Sequence, residues 1–182
     1  MLRRTYTDYN LGQAYLDRRI IGLASAVHVA DLTNGWQWQS KMTYGYDDPA
    51  RLSTQATTAT MHDQSADVNF TIRGNVTSVS RWDVSDINNA SKAATSYTNY
   101  NAAGSSIDAF DAAGHHTSID FTDNFSDPNT NQGTFAYATS VTDPDGYSSS
   151  AQYKFEYGAI SRTHVPTSGT NGAQNEIGRA HV

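Results

Sequence analysis

Apolar and polar residues alternate in short runs along most of this chain, and Gly, Pro, Asn and Asp separate the runs. Period-two alternation puts one set of side chains on one face of a strand, so it predicts half-buried β-strands. Thr5–Tyr9 reads as a short strand. Arg19–Asp31 reads as another, with Ile21, Leu23, Val27 and Val29 and an interruption at Gly22. Asn34-Gly35 is a hairpin dipeptide that leads into Trp36–Asp47. There Trp36 and Trp38, then Met42, Tyr44 and Tyr46, share one parity. Thr-rich Arg51–Thr60 is expected to be extended. Val68, Phe70 and Ile72 alternate, Gly74-Asn75 turns, and Val76–Trp82 continues. Ser96–Phe121, Phe135–Val141, Tyr147–Tyr157 and Ala159–Val165 complete the strands. Helical turns are expected only within Leu11–Arg18 and Asn89–Ala94. Ser85–Ala94 and Asp123–Gly133 read as loops, and Pro166–Asn175 as polar and frayed. The pattern predicts one all-β array over 1–176, with no domain boundary.

Short stretches repeat within this array. Tyr100-Asn101-Ala102-Ala103-Gly104 recurs ten positions later as Phe110-Asp111-Ala112-Ala113-Gly114, and Tyr46-Asp47-Asp48-Pro49-Ala50-Arg51-Leu52 opens the same way. The aromatic supplies a sheet face. The Asx side chain can bond the backbone two residues on and start a turn. A Gly three residues later accepts positive φ and lets the chain reverse. Each copy is then one β-hairpin arm. One arm cannot bury its apolar face alone, so arms must stack.

The unit resembles the YD repeat of the RHS family, whose core reads Tyr-Asp, two free residues, Gly, Arg, then a strand. Tyr46, Asp47, Arg51 and Leu52 match it, with Ala50 in the Gly place. Arg73-Gly74-Asn75-Val76-Thr77-Ser78-Val79 is similar to a second family variant, Gly-Asn-Leu-Thr-x-Val. The copies at Tyr100, Asn101, Gly104 and at Phe110, Asp111, Gly114 carry Ser105 and His115 where the family has Arg. The resemblance spans Thr43–Arg162. It implies antiparallel stacked β-hairpins forming an open, curved segment of a bacterial β-shell, secreted or at the cell surface. Such a segment is wall around a C-terminal toxin, or serves cell-surface contact. It has no chemistry of its own, and its partners are further repeats of its own parent chain.

Composition narrows the alternatives. Charged residues make up 16% of the 182 residues, and the net charge is −6, which argues against a nucleic-acid footprint. There is no Cys, hence no disulfide framework or thiolate metal site. No apolar run has the length of a membrane helix, and no signal core precedes Arg3-Arg4-Thr5-Tyr6, which reads as mid-strand. Ile177-Gly178-Arg179-Ala180-His181-Val182 matches the translation of a common sequencing adapter. We therefore expect 177–182 to be a non-native tail on a truncated segment.

Candidate chemistry is sparse. Asp127, Asn129 and Asn131 alternate as in a calcium loop, but Gly133 comes one residue late and Ala138 stands where the closing Glu belongs. His115 and His116 are adjacent, so a strand sends them to opposite faces. His28, His62 and His164 have no ligand pattern around them. Glu156 and Glu176 are the only Glu residues, and they form no recognisable hydrolytic pair. The sequons at Asn69, Asn75, Asn89 and Asn124 are what this composition produces by chance. The RHS resemblance also implies an Asp-Pro-x-Gly cleavage motif at Asp143-Pro144-Asp145-Gly146, where the residues themselves favour a plain turn. No cofactor or metal is expected, and no enzyme. Two other classes remain. One is a carbohydrate-binding β-sandwich that stacks sugars on Trp36 and Trp38, with Tyr44 and Tyr46 beside them. The other is part of an outer-membrane barrel, which needs an outward apolar band.

Overall fold

The computed structural model describes residues 2–33, 35–60, 63 and 69–166, and the backbone of 167 and 169–176. Asn34, His62, Val68 and the adapter-like 177–182 lie outside the described residues. The fold is all-β and antiparallel. Its strands are β1 (Arg3–Tyr9), β2 (Ala24–Asp31), β3 (Gln37–Tyr46), β4 (Val76–Arg81), β5 (Ala94–Tyr100), β6 (Ser106–Phe110), β7 (His116–Asp120), β8 (Ser140–Thr142), β9 (Ser148–Tyr153), β10 (Ile160–Thr167) and β11 (Gly169–Glu176). One short helix, α1 (Gln13–Asp17), precedes β2. Among the described residues, no helix is long and apolar enough to cross a membrane.

The chain packs as two compact units. The first comprises Met1–Leu52, Phe70–Asn99 and Phe110–Gly114; the second comprises Ser53–Asn69, Tyr100–Ala109 and His115–Val182. Within each, the hydrogen-bonded order of the strands is their order in the chain. Among the described residues, β1 pairs only with β2 and β11 only with β10, so both are edges and the sheet is open.

The core is made of small side chains. Ala26, Ala30, Ala56, Ala59 and Ala102 are buried, and Ile107 and Phe125 are the only large apolar residues that join them among the described residues. In the first unit, Val27 and Val29 of β2 stand opposite Thr7 and Thr5 of β1 and opposite Met42 and Ser40 of β3. In the second, Phe125 meets Tyr137 and Phe155 edge-on at 6.2 and 5.2 Å, and Tyr137 stacks on Tyr153 at 4.7 Å.

Several elements depart from the sequence pattern, each for a local reason. The expected strand Arg19–Asp31 begins only at Ala24, because Arg19 (φ 57°) and Gly22 (φ 82°) leave the extended region. Arg51–Thr60 is not extended. Pro49 opens a 3₁₀ turn over Pro49–Arg51, the Asp48 carboxylate accepts the Ala50 N–H at 3.0 Å, and Ala56 sits at φ 63°. Phe70–Ile72 joins no ladder; the Phe70 ring instead lies under the guanidinium of Arg18 at 3.6 Å. Phe135–Val141 is strand only from Ser140, and Tyr147–Tyr157 only over Ser148–Tyr153. The frayed end expected at Pro166–Asn175 is largely strand: Thr163 pairs with Asn175 and Val165 with Ala173.

The shared parity of Trp36, Trp38, Met42, Tyr44 and Tyr46 is also broken. Val29 pairs with Ser40 but Ala30 pairs with Trp38, so Gln39 is an extra residue in β3. Such a bulge moves side chains on either side of it to opposite faces. Trp38 thus shares a face with Ala30, His28, Lys41 and Thr43. Met42 and Tyr44 lie on the other face with Val27 and Val79.

Candidate functional site

The two motifs that resemble YD-repeat variants meet around one carboxylate. Tyr46 ends β3, and its hydroxyl donates to the Ala24 carbonyl at 2.8 Å. Asp47 follows at φ 52°, a left-handed conformation that Asp tolerates better than most residues. That twist aims its side chain at the turn before β4. Its Oδ2 accepts the backbone N–H of Arg73 (2.9 Å) and Gly74 (2.7 Å), and its Oδ1 accepts that of Asn75 (2.9 Å). The Asp47 N–H in turn donates to the Asn75 carbonyl at 2.9 Å. Gly74 is required here. It sits at φ 81°, and a Cβ would come within 3.2 Å of Ile20. Burial, then the charge of Asp47 and a hydrogen bond to it, push the Tyr15 hydroxyl up to about 12. The Tyr-Asp unit and the Gly-Asn turn are thus held to each other.

Arg51 acts in the same way. Its guanidinium lies 4.2 Å over the Tyr97 ring and 5.9 Å from that of Phe110, and Nη1 donates to Asn99 Oδ1 at 3.3 Å. Leu52 closes the 3₁₀ turn, its N–H donating to the Pro49 carbonyl. Asn101 is fully buried; its Oδ1 accepts the Ser105 N–H at 2.9 Å, its own N–H donates to the Ser105 carbonyl, and Gly104 completes the turn at φ 90°. Asp111 makes the Asx bond expected of it, accepting the Ala113 N–H at 2.8 Å, and Gly114 sits at φ 89°.

The plain turn favoured at Asp143-Pro144-Asp145-Gly146 is present, but its kinship with the Asn101 turn escaped the sequence reading, as did a second device. Asp143 repeats the Asn101 turn bond for bond: Oδ1 accepts the Tyr147 N–H at 2.8 Å, the Asp143 N–H donates to the Tyr147 carbonyl, and Gly146 sits at φ 85°. The signal was present as Asx-x-x-Gly, but Thr142 stands where the other copies carry an aromatic. A Cβ at Gly146 would touch nothing, so only backbone strain opposes a side chain there. Gly146→Ala is expected to cost roughly 1–2 kcal/mol, and Gly146→Asn less, in urea unfolding.

The second device is Asp123, whose carboxylate is cradled like that of Asp47. It accepts the N–H groups of Gln132 (3.1 Å), Thr134 (2.8 Å) and Phe135 (3.0 Å) and the Thr134 hydroxyl (2.7 Å). This bonding twists Phe135 to φ 50° and ends the strand expected there. Desolvation pushes the Asp123 carboxyl up, but these hydrogen bonds outweigh it and hold it below the usual range. A depressed folded value adds stability above the unfolded value of about 3.9, and that stability is lost as pH falls through the folded one. Asp123→Asn should therefore be less stable at neutral pH and show a flatter acid limb in a pH series of urea titrations.

The remaining candidates are scattered. The alternating loop does not form a cage: Asp127 Oδ1 accepts the Asn129 N–H and side chain, while Asn131 Oδ1 accepts the Phe125 N–H. Among the described residues, no group of three metal-ligating side chains converges. His116 Nε2 lies 2.7 Å from Asp108 and His28 Nε2 lies 3.2 Å from Asp8, each across a strand pair. His164 lines an open polar cleft with Asn124, Ser150, Gln152 and Arg162. Trp36 is 46% exposed, yet it meets Trp38 edge-on (81°, 5.4 Å) and Tyr6 at 40°. These rings pack on one another and do not lie coplanar.

No family model and no curated protein matches this chain.

Proposed function

We propose that this chain is a wall segment of a YD-repeat β-shell, a structural element that encloses a C-terminal toxin or serves cell-surface contact. The observation that carries this reading is the Asp47 cradle. The Tyr-Asp unit places its carboxylate on the backbone of Arg73, Gly74 and Asn75, so residues of one resembling motif hold those of the other. Arg51 uses its charge in the same way, on Tyr97 and Asn99. The Asp47 carboxylate is thereby occupied by the backbone donors of a neighbouring arm. The core of Ala side chains and the exposed Tyr97, Val141, Tyr147 and Tyr157 fit a sheet meant to be covered by other parts of a larger body.

The test is cryo-electron microscopy of the protein from the complete reading frame around this chain. The expected result is a continuous β-wall in which β1–β11 are consecutive strands. A separate globular domain, with no further strand continuing either edge, would overturn the reading.

A further inference from the structure

The β1 edge is self-complementary, and we propose that it pairs with the β1 edge of a second copy of this chain about a two-fold axis at Tyr6. The sequence of β1 is Arg3-Arg4-Thr5-Tyr6-Thr7-Asp8-Tyr9. In an antiparallel pairing centred on Tyr6, Arg4 stands opposite Asp8 of the other copy, Thr5 opposite Thr7, and Tyr6 opposite itself. Symmetry makes the charge pair twice. Shifting the register by two residues in either direction loses it.

The backbone of β1 has the parity this pairing needs. The Leu32 N–H donates to the Leu2 carbonyl at 2.8 Å, and Arg3 is paired with Asp31. In an antiparallel ladder, hydrogen-bonded and non-bonded pairs alternate. Leu2, Arg4, Tyr6 and Asp8 therefore turn their backbone groups toward β2, and Arg3, Thr5 and Thr7 turn theirs outward. The proposed register sets Thr5 against Thr7, so outward groups meet outward groups and exchange N–H···O bonds. Arg4 and Asp8 fall in the non-bonded pairs, where side chains approach most closely. A register shifted by one residue would set outward groups against inward ones.

The side chains are accessible at this edge. Every residue of β1 except Tyr6 is exposed, and Tyr6 is half-buried against Trp36. Arg4 lies 4.6 Å over the Tyr6 ring, and Asp8, 66% exposed, lies 3.2 Å from His28. Both charges thus stand at the edge, on the same face as the aromatic cluster. An isologous contact of this kind closes on itself as a dimer. It blocks the open edge, where unpaired strands otherwise aggregate. The inference does not rest on the wall reading, although it would make β1 a seam between two copies.

Sedimentation velocity of the full chain over a concentration series is the experiment, with circular dichroism to verify the fold. We expect a monomer–dimer equilibrium. Arg4→Asp or Asp8→Arg should weaken it about tenfold by placing like charges opposite each other twice. The combined R4D/D8R variant should restore it, because complementary order returns. Thr5→Pro should abolish it while leaving the β1–β2 ladder intact, since the N–H it removes points outward. A chain that is monomeric throughout, or an association that ignores all of these substitutions, would overturn the proposal.

Discussion

Phe125→Ala is expected to lower the stability of the second unit by about 3–5 kcal/mol. The ring is 4% exposed and is the largest apolar side chain in a core otherwise built from Ala and Ile107. Truncation removes its transfer energy and leaves a cavity that its neighbours cannot easily fill. Tyr137 is stacked on Tyr153, and the Tyr153 hydroxyl donates to the Ala138 carbonyl at 2.8 Å, so neither ring can swing in without losing a partner. The Phe125 backbone adds to this: its N–H donates to Asn131 Oδ1, and it bridges to Tyr153. Phe125→Leu keeps most of the volume and should cost far less. All three Trp residues lie in the first unit, so Trp fluorescence does not report on this region. Amide exchange does. The N–H groups of Ala151 and Tyr153 donate to the carbonyls of Thr139 and Asn124 at 2.8 and 2.9 Å. Their exchange should speed up by a factor on the order of one hundred or more in Phe125→Ala. Unchanged exchange would mean that the ring is not the core of this unit.

The fold class was legible because period-two alternation marks strands, as at Val27 and Val29, even though the buried residues of β2 are Ala26 and Ala30 on its other face. It failed where backbone bonding to a side chain overrode it. Nothing in the run Phe135–Val141 announces that Asp123, twelve residues upstream of Phe135, withdraws the Thr134 and Phe135 N–H groups from any ladder. The Gln39 bulge was equally silent. It reverses parity within a strand whose residues all favour extension, and so divides aromatics that a strict alternation groups together. Turn positions were the most legible part of the candidate site. Asx followed three residues later by Gly carries a conformational requirement, met at Gly104 and Gly114 by φ near 90°. The long-range partners were not legible. Asp47 could be read as the start of a turn, but not as the acceptor for residues 26 to 28 positions away.

That separation makes Asp47→Ala the sharpest test of how the Tyr-Asp unit works. The substitution leaves the N–H groups of Arg73, Gly74 and Asn75 without their acceptor at once. Hydrogen bonds to a charged group contribute about 1.5–3 kcal/mol each, but they share one carboxylate and do not add. A loss of about 3 kcal/mol in the first unit is expected, read by Trp fluorescence in urea. The variants separate the causes. Asp47→Gly removes the strain of φ 52° along with the carboxylate, so it should be less damaging than Asp47→Ala by roughly 1 kcal/mol, yet still well below wild type. Asp47→Asn keeps one acceptor oxygen and tolerates the backbone, but turns an NH₂ toward the donors, so it should fall between wild type and Asp47→Ala. Tyr15 supplies an independent readout. Its hydroxyl is raised to about 12, so the folded chain holds that proton above pH 10, where the unfolded chain has begun to lose it. The associated stability is complete below pH 10 and disappears as pH rises toward 12. Asp47→Ala removes the charge and the hydrogen bond that reinforce the effect of burial, and the alkaline loss should become shallower. If instead the three Asp47 variants matched wild type, the carboxylate would be free to serve a ligand, and the reading of the Tyr-Asp unit as wall would lose its main support.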